Sequence, residues 1–247
     1  MAKLEQLIIP NWPAPVHVKA FVSTRLGGVS NAPYQGLNLG AHVGDQAKHV
    51  EANRNELKHL VGFSGDVQWL NQVHSSIAIE LPTDQQDRTA DACYTKQTNT
   101  VCAVLTADCL PAIFTDKNGT QVAAAHAGWR GLCDGVLEET LKTFPNPAEV
   151  LVWLGPAIGP DAFEVGPEVR EAFIAVDAQA QQAFKPSHNE GKWLGNLYQL
   201  AKQRLAALGC EQVYGSDFCT FTDQERFYSY RRDGVTGRMA TLIWIEK

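Results

Sequence analysis

Apolar and polar positions along the chain alternate between a period of two and a period near 3.6, which predicts a mixture of strands and helices. Residues 16–22 alternate as a strand. A Gly-rich turn follows at 24–30, and a second loop spans 36–44. Asp45 stands where an N-cap is needed for a helix reaching Val61, with Val50, Leu57, Leu60 and Val61 on one face and Gly62 at its end. Residues 67–70 predict a short strand running into Asn71-Gln72-Val73-His74. The apolar run 101–105 predicts a buried strand that ends at Thr106-Ala107-Asp108-Cys109. Segments 111–115 and 121–125 predict a hairpin about Lys117-Asn118-Gly119, and its second strand delivers His126. Gly128-Trp129-Arg130-Gly131 then opens a predicted helix. Cys133, Val136, Leu137, Thr140, Leu141 and Phe144 recur along it at helical spacing. A buried strand at 149–154 follows. Next come helices at 167–176, opened by Pro167, and 196–208, closed by Gly209, then strands near 211–214, 227–231 and 239–245. No regular β-α-β rhythm, repeat or long linker appears. The pattern predicts a single α+β domain over residues 1–247.

Composition narrows the function. The 247 residues carry 21 Lys+Arg against 27 Asp+Glu, a net charge of −6. With no basic cluster, a general nucleic-acid surface and an anionic-membrane surface are both excluded as expectations. No segment approaches the ~18 apolar residues of a membrane-spanning helix, and residues 1–15 lack the pattern of a signal peptide, so the expected compartment is the cytosol. The six cysteines form no C-x-x-C pair and are expected to be reduced. Phosphate-loop, dinucleotide-binding, zinc-protease, zinc-deaminase and nucleophile-elbow patterns are all absent.

Candidate chemistry gathers at predicted strand ends, where scaffolds present functional groups. His74, Cys109 and His126 are the residue types that bind zinc, and three of them leave a fourth tetrahedral position open for water or substrate. A second reading needs no metal: Cys109 is a thiolate nucleophile and His126 its base. A third takes all three as packing residues. Arg130, at the mouth of a predicted helix, and Arg25, beside Gly27-Gly28, are candidate anion-binding groups. Arg231 and Arg232 either clamp a phosphate or join an internal ion pair. Asp108 is placed to orient a ligand or to cap a turn. Trp129, Tyr228 and Tyr230 are candidates to stack on a base, or core and rim residues.

Three motifs, Asn71-Gln72-Val73-His74, Thr106-Ala107-Asp108-Cys109-Leu110-Pro111 and His126-Ala127-Gly128-Trp129-Arg130-Gly131, resemble the YfiH family, also called the laccase-domain or polyphenol oxidase family. Supporting matches include Thr24–Ser30, Asn38-Leu39-Gly40, Leu154–Gly159 and Tyr230-Arg231-Arg232-Asp233. A similar domain occurs in the mammalian enzyme FAMIN. The resemblance implies a four-layer α/β/β/α fold with mixed sheets, similar to the catalytic domain of the cytotoxic necrotizing factor toxins. It implies a zinc site at His74, Cys109 and His126. It also implies phosphorolysis of purine nucleosides (adenosine, inosine, guanosine and methylthioadenosine) together with adenosine deamination. Two further activities are attached to the family: copper-dependent polyphenol oxidation, and hydrolytic editing of UDP-muramic acid peptides carrying L-serine. The residues rank oxidation low. The chain has seven His but no H-x-H pair, and only Met1 and Met239 are available as axial copper ligands. A single Cys/His₂ zinc site suits water activation. A non-enzymatic binding domain ranks last, because structural zinc usually takes four protein ligands.

Overall fold

The computed structural model describes residues 6–247, so Met1 and the first part of the segment read for a leader lie outside the described residues. In chain order the elements are β1 (Leu7–Ile8), β2 (Val18–Ser23), α1 (Ala47–Val61), β3 (Ala78–Glu80), β4 (Ala92–Thr95), β5 (Cys102–Thr106), β6 (Leu110–Asp116), β7 (Val122–Ala127), α2 (Trp129–Cys133) and α3 (Val136–Leu141). There follow β8 (Val150–Leu154), β9 (Glu164–Val165), α4 (Pro167–Val176), β10 (Phe184–Pro186), β11 (Trp193–Gly195), α5 (Leu197–Ala206), β12 (Gln212–Gly215), α6 (Tyr230–Asp233) and β13 (Met239–Ile245). Three-residue and six-residue 3₁₀ turns precede β8 and β10.

Two sheets carry the fold. The smaller has the order β1-β2-β13-β5 and is antiparallel throughout. The larger has the order β12-β8-β6-β7-β4-β3 and is mixed, with parallel pairs only at its two edges. The sheets pack face to face. Val18, Ala20 and Val22 from alternate positions of β2 join Cys102, Val104, Ile243 and Ile245. They meet Cys93, Ile113, Val122, Ala124 and Trp153 of the larger sheet. The outer face of the smaller sheet puts Ala103, Leu105, Leu242 and Trp244 against Leu57 of α1 and Leu37, Leu39 and Phe63. The outer face of the larger sheet puts Ala112, Phe114, Ala123 and Ala125 against Leu132, Leu137 and Leu141, and against Leu200 and Leu205 of α5. These contacts make four layers, α/β/β/α, as expected. The central strands are covered on both faces, which is why they read as continuous apolar runs.

The structure departs from the sequence reading at five places. Helix α1 is capped at Gln46, because the Asp45 carboxylate turns away to accept Ser30 Oγ (2.5 Å) and Asn38 Nδ2 (2.8 Å). The segment 67–70 reduces to one bridge between Val67 and Val101. The helix predicted after Gly128 is broken into α2 and α3 by Gly135, whose φ of +96° interrupts the ladder. Residues 227–231 form no strand: Tyr228 donates its backbone N–H to Met239 Sδ, Ser229 caps α6, and Phe227 and Tyr228 are buried while Tyr230 is exposed. Strands β3 and β4, and the satellite sheet β10-β11-β9, were not anticipated.

One crossing positions the chemistry. After β5 the chain leaves the smaller sheet and enters the larger one as β6, and residues 107–109 make that passage. The end of β7 lies beside the start of β6, with His126 registered opposite Pro111.

Candidate metal centre and its cavity

His74, Cys109 and His126 converge from three elements, and their ligand atoms all lie within 4.8 Å of one another. Cys109 comes from the crossing, His126 from the end of β7 and His74 from the loop before β3. Cys109 Sγ is 3.7 Å from His74 Nε2, and the two imidazoles meet edge to face at 4.8 Å. Donors on a tetrahedral zinc lie about 3.5 Å apart, given bonds of about 2.0 and 2.3 Å. The Sγ–Nε2 separation is close to that edge. Gly128 leaves the room for it: a Cβ there would run into the His74 ring, 3.0 Å from Nε2, and lie 3.1 Å from Cys109 Sγ. The donor types, their spacing and the cradle at Gly128 all fit zinc.

Asp91 organises the cluster, and sequence reasoning missed it. Its carboxylate is buried at the entry to β4. Oδ1 accepts His126 Nδ1 at 2.8 Å and the His74 backbone N–H at 3.0 Å. Oδ2 accepts the N–H of Val73 (3.2 Å), the N–H of Ser75 (2.6 Å) and Ser75 Oγ (2.8 Å). The amides of 73–75 converge because His74 adopts a left-handed conformation, φ +63°. Gln72 ties the same loop to the smaller sheet, its side-chain amide pairing both ways with the backbone of Leu105 at 2.8 Å. The available signal was a lone carboxylate between two alanines, Ala90-Asp91-Ala92, in the otherwise uncharged run Thr89–Thr95.

These contacts set the charges. Burial pushes the Asp91 carboxyl up, but bonds from His126 and Ser75 outweigh it and hold it at about 2. Burial also raises the Cys109 thiol, and the positive His126 with hydrogen bonds from both histidines brings it down to about 6. Burial works against protonation of His126, while the Cys109 thiolate and Asp91 raise it to about 9. Without metal the pair is therefore thiolate and imidazolium near neutral pH.

The cluster forms the floor of a cavity of about 500 Å³. Arg130, Arg231, Trp129 and Tyr230 line it, together with His42, Phe163 and Arg238, which the sequence reading did not single out. Arg130 stacks on Trp129 at 4.4 Å, and Arg231 donates to the Glu164 carbonyl at 2.7 Å. Arg232 is structural: it pairs with Asp233 and donates to the carbonyls of Thr220, Phe221 and Phe227.

Two expectations need correction. Arg25 is not brought to this cavity. It packs over the ring of the buried Tyr228 at 4.8 Å, donates to Gln224 O and lines a separate shallow depression with its own glycine turn. Asp108 does not orient either histidine. Its carboxylate accepts Thr220 Oγ1 (2.6 Å), Ser229 Oγ (3.0 Å) and the Arg231 N–H (2.7 Å), so it fixes the cavity wall. Met239, the described candidate for an axial copper ligand, is buried, accepts Tyr228 N–H at 3.2 Å and does not line the cavity.

Residues 19–246 match the family described as multi-copper polyphenol oxidoreductase laccase. The chain is similar to Escherichia coli K12 purine nucleoside phosphorylase YfiH, 56% identical over 244 residues, covering 98% of this chain and 100% of that protein. It is also similar to a Haemophilus influenzae protein named purine nucleoside phosphorylase, 54% identical over 243 residues, again covering 98% and 100%. Among solved structures, a Neisseria meningitidis protein of family DUF152 superposes with a TM-score of 0.92 at 46% identity, covering 98% of this chain and 100% of that one. A Bacillus licheniformis protein titled hypothetical protein YfiH gives a TM-score of 0.87 at 31% identity, covering 93% of each chain.

Three outcomes are expected of the centre. Gly128→Ala folds but loses zinc, read as metal content beside an unchanged circular dichroism spectrum; normal zinc content would refute the cradle. Asp91→Asn puts an amide donor against donors and weakens zinc binding by about 10–100-fold in a chelator competition. In metal-free protein the rate of Cys109 alkylation by iodoacetamide rises with pH through a midpoint of about 6, as the thiolate forms. Cys210, pushed by burial to about 11, stays unlabelled there, and added zinc protects Cys109.

Proposed function

The chain belongs to the YfiH, or laccase-domain, family, and we propose that it is a cytoplasmic, zinc-bearing purine nucleoside phosphorylase of broad range. The observation that carries this reading is the juxtaposition of the three donors His74, Cys109 and His126 with an arginine- and aromatic-lined cavity of about 500 Å³. The names of the relatives point the same way. His74, Cys109 and His126 would hold the zinc, which would supply Lewis acidity at the cavity floor.

The protein's own residues do the rest. Arg130, Arg231 and Arg238 bind inorganic phosphate and hold it against the sugar. Trp129, Phe163 and Tyr230 offer faces for the purine and exclude water from around it. Phosphate oxygen bonds to the anomeric carbon as the glycosidic bond breaks. The base leaves with the bonding electron pair and takes up a proton, giving ribose 1-phosphate. Asp91 keeps the proton of His126 on Nδ1, which directs Nε2 toward Cys109 and the cavity. Deamination of adenosine to inosine, in which water oxygen bonds to C6 as the C6–N bond breaks and ammonia leaves, is proposed for the same cavity.

A second reading rests on a separate observation. The Cys109 thiolate, His126 and Asp91 stand in the order of a nucleophile, its base and an orienting carboxylate. That arrangement suits a metal-independent amide hydrolase, with UDP-muramic acid peptides carrying L-serine as the candidate substrate.

One experiment separates these readings: mass spectrometry of adenosine incubated with zinc-loaded protein, with and without phosphate, beside Cys109→Ala. The expected result is phosphate-dependent adenine and ribose 1-phosphate, at least about a hundredfold reduced in the variant. Inosine in both conditions reports the deaminase. An active, metal-free Cys109→Ala overturns the zinc reading, and a chelator-resistant, alkylation-sensitive amidase favours the hydrolase.

A further inference from the structure

A second depression, of about 620 Å³, adjoins the metal-centre cavity and shares His42, Gln72 and Leu105 with it. Its far side is built from Arg54, Trp69 and Arg88. The Arg54 guanidinium lies 4.3 Å over the Trp69 ring and donates twice to the Leu39 carbonyl, at 3.1 and 2.9 Å. Arg88 donates to the carbonyls of Trp69 and Gln85, both at 3.3 Å. These anchors fix both cations without neutralising them. Among the described residues neither has a carboxylate within 4.0 Å, and the same holds for Arg130, Arg231 and Arg238 of the neighbouring cavity. Asp87, the acid in the depression, is engaged by the N–H (2.9 Å) and hydroxyl (2.6 Å) of Thr89. In a chain of net charge −6, five arginines without carboxylate partners thus face one continuous groove. Burial opposes the charge on Arg54, so an anion there would relieve an existing cost.

We propose that the outer depression is a second anion subsite and that the substrates include nucleosides bearing a phosphate group. This rests on the phosphorylase reading: the glycosidic bond lies over His74, Cys109 and His126, and the substrate's own phosphate lies between Arg54 and Arg88. Leu105 engages the Gln72 carbonyl and one of its two amide N–H groups, which holds that side chain in place and leaves it a single donor. His42 stands between the two regions, with Arg238 and Arg54 both close enough to disfavour its protonation after burial itself. It is placed to meet the sugar.

The test is calorimetric titration of the zinc-loaded protein with adenosine, adenosine 5′-monophosphate, adenosine 3′-monophosphate and inorganic phosphate. One monophosphate is expected to bind about tenfold more tightly than adenosine, and the advantage is expected to shrink as salt rises. In Arg88→Ala, and independently in Arg54→Lys, the ratio of nucleotide to nucleoside affinity falls by about tenfold. Zinc content and the thermal transition identify any variant that fails to fold. Equal affinity for adenosine and both monophosphates overturns the proposal, and so does a nucleotide advantage that both folded variants retain. Inorganic phosphate binding through Arg88 without any nucleotide advantage also overturns it, since the site then takes free phosphate. Nucleotide binding through Arg88 with no phosphorolysis, neither ribose 1-phosphate from adenosine nor the ribose bisphosphate from the monophosphate, overturns the phosphorylase reading alone.

Discussion

The Asp91 carboxylate accepts five hydrogen bonds, from three consecutive amides, one hydroxyl and one imidazole. A buried carboxylate is tolerated only when its lone pairs are filled, and here the groups that fill them are the site. The amides of 73–75 can converge on one carboxylate only if His74 takes a positive φ, which costs energy for a residue with a Cβ. The same carboxylate fixes the His126 ring. Two ligands from different parts of the chain are thus held to one reference point, and the third, Cys109, arrives on the crossing between the sheets. The loop's strain and the centre's geometry have a common origin.

Asp108 plays the corresponding part for the cavity wall. It also has a positive φ, and it draws Thr220, Ser229 and Arg231 onto the crossing. The last part of the chain therefore closes over the start of β6, and Arg231 and Tyr230 come to face the metal centre. Two buried acids divide the work: Asp91 sets the ligands and Asp108 sets the walls. Neither forms a direct ion pair with a cavity arginine, although Asp108 lies close enough to favour the charge on Arg238.

The sequence made the donors legible because each follows an apolar strand and stands beside a turn, which is a local signal. It made α4 and α5 legible through Pro167 at the first helical position of one and Asn196 and Gly209 around the other. The role of Asp91 was not legible, because its partners lie 16 to 35 residues away in sequence and only the sheet brings them together. Asp108, adjacent to Cys109, looked like the orienting acid for the opposite reason: nearness along the chain is a poor guide where the backbone turns sharply. The break at Gly135 was hidden by apolar spacing that continues in register across it. The aromatic run at 227–231 has strand-forming residues, but burial of Phe227 and Tyr228 in a small separate cluster replaces the ladder.

Net charge is a poor guide to the site. An overall excess of acids says nothing about arginines whose donors are spent on carbonyls. A guanidinium bound to carbonyl oxygens keeps its full charge while losing much of its rotamer freedom. Arg54, Arg88, Arg231 and Arg238 are all held this way. Ordering them in advance lowers the entropy lost when an anion arrives, and the acidic remainder of the surface discourages anions from settling elsewhere. The anion binding proposed for this groove would follow from where carboxylate partners are absent as much as from where arginines are present.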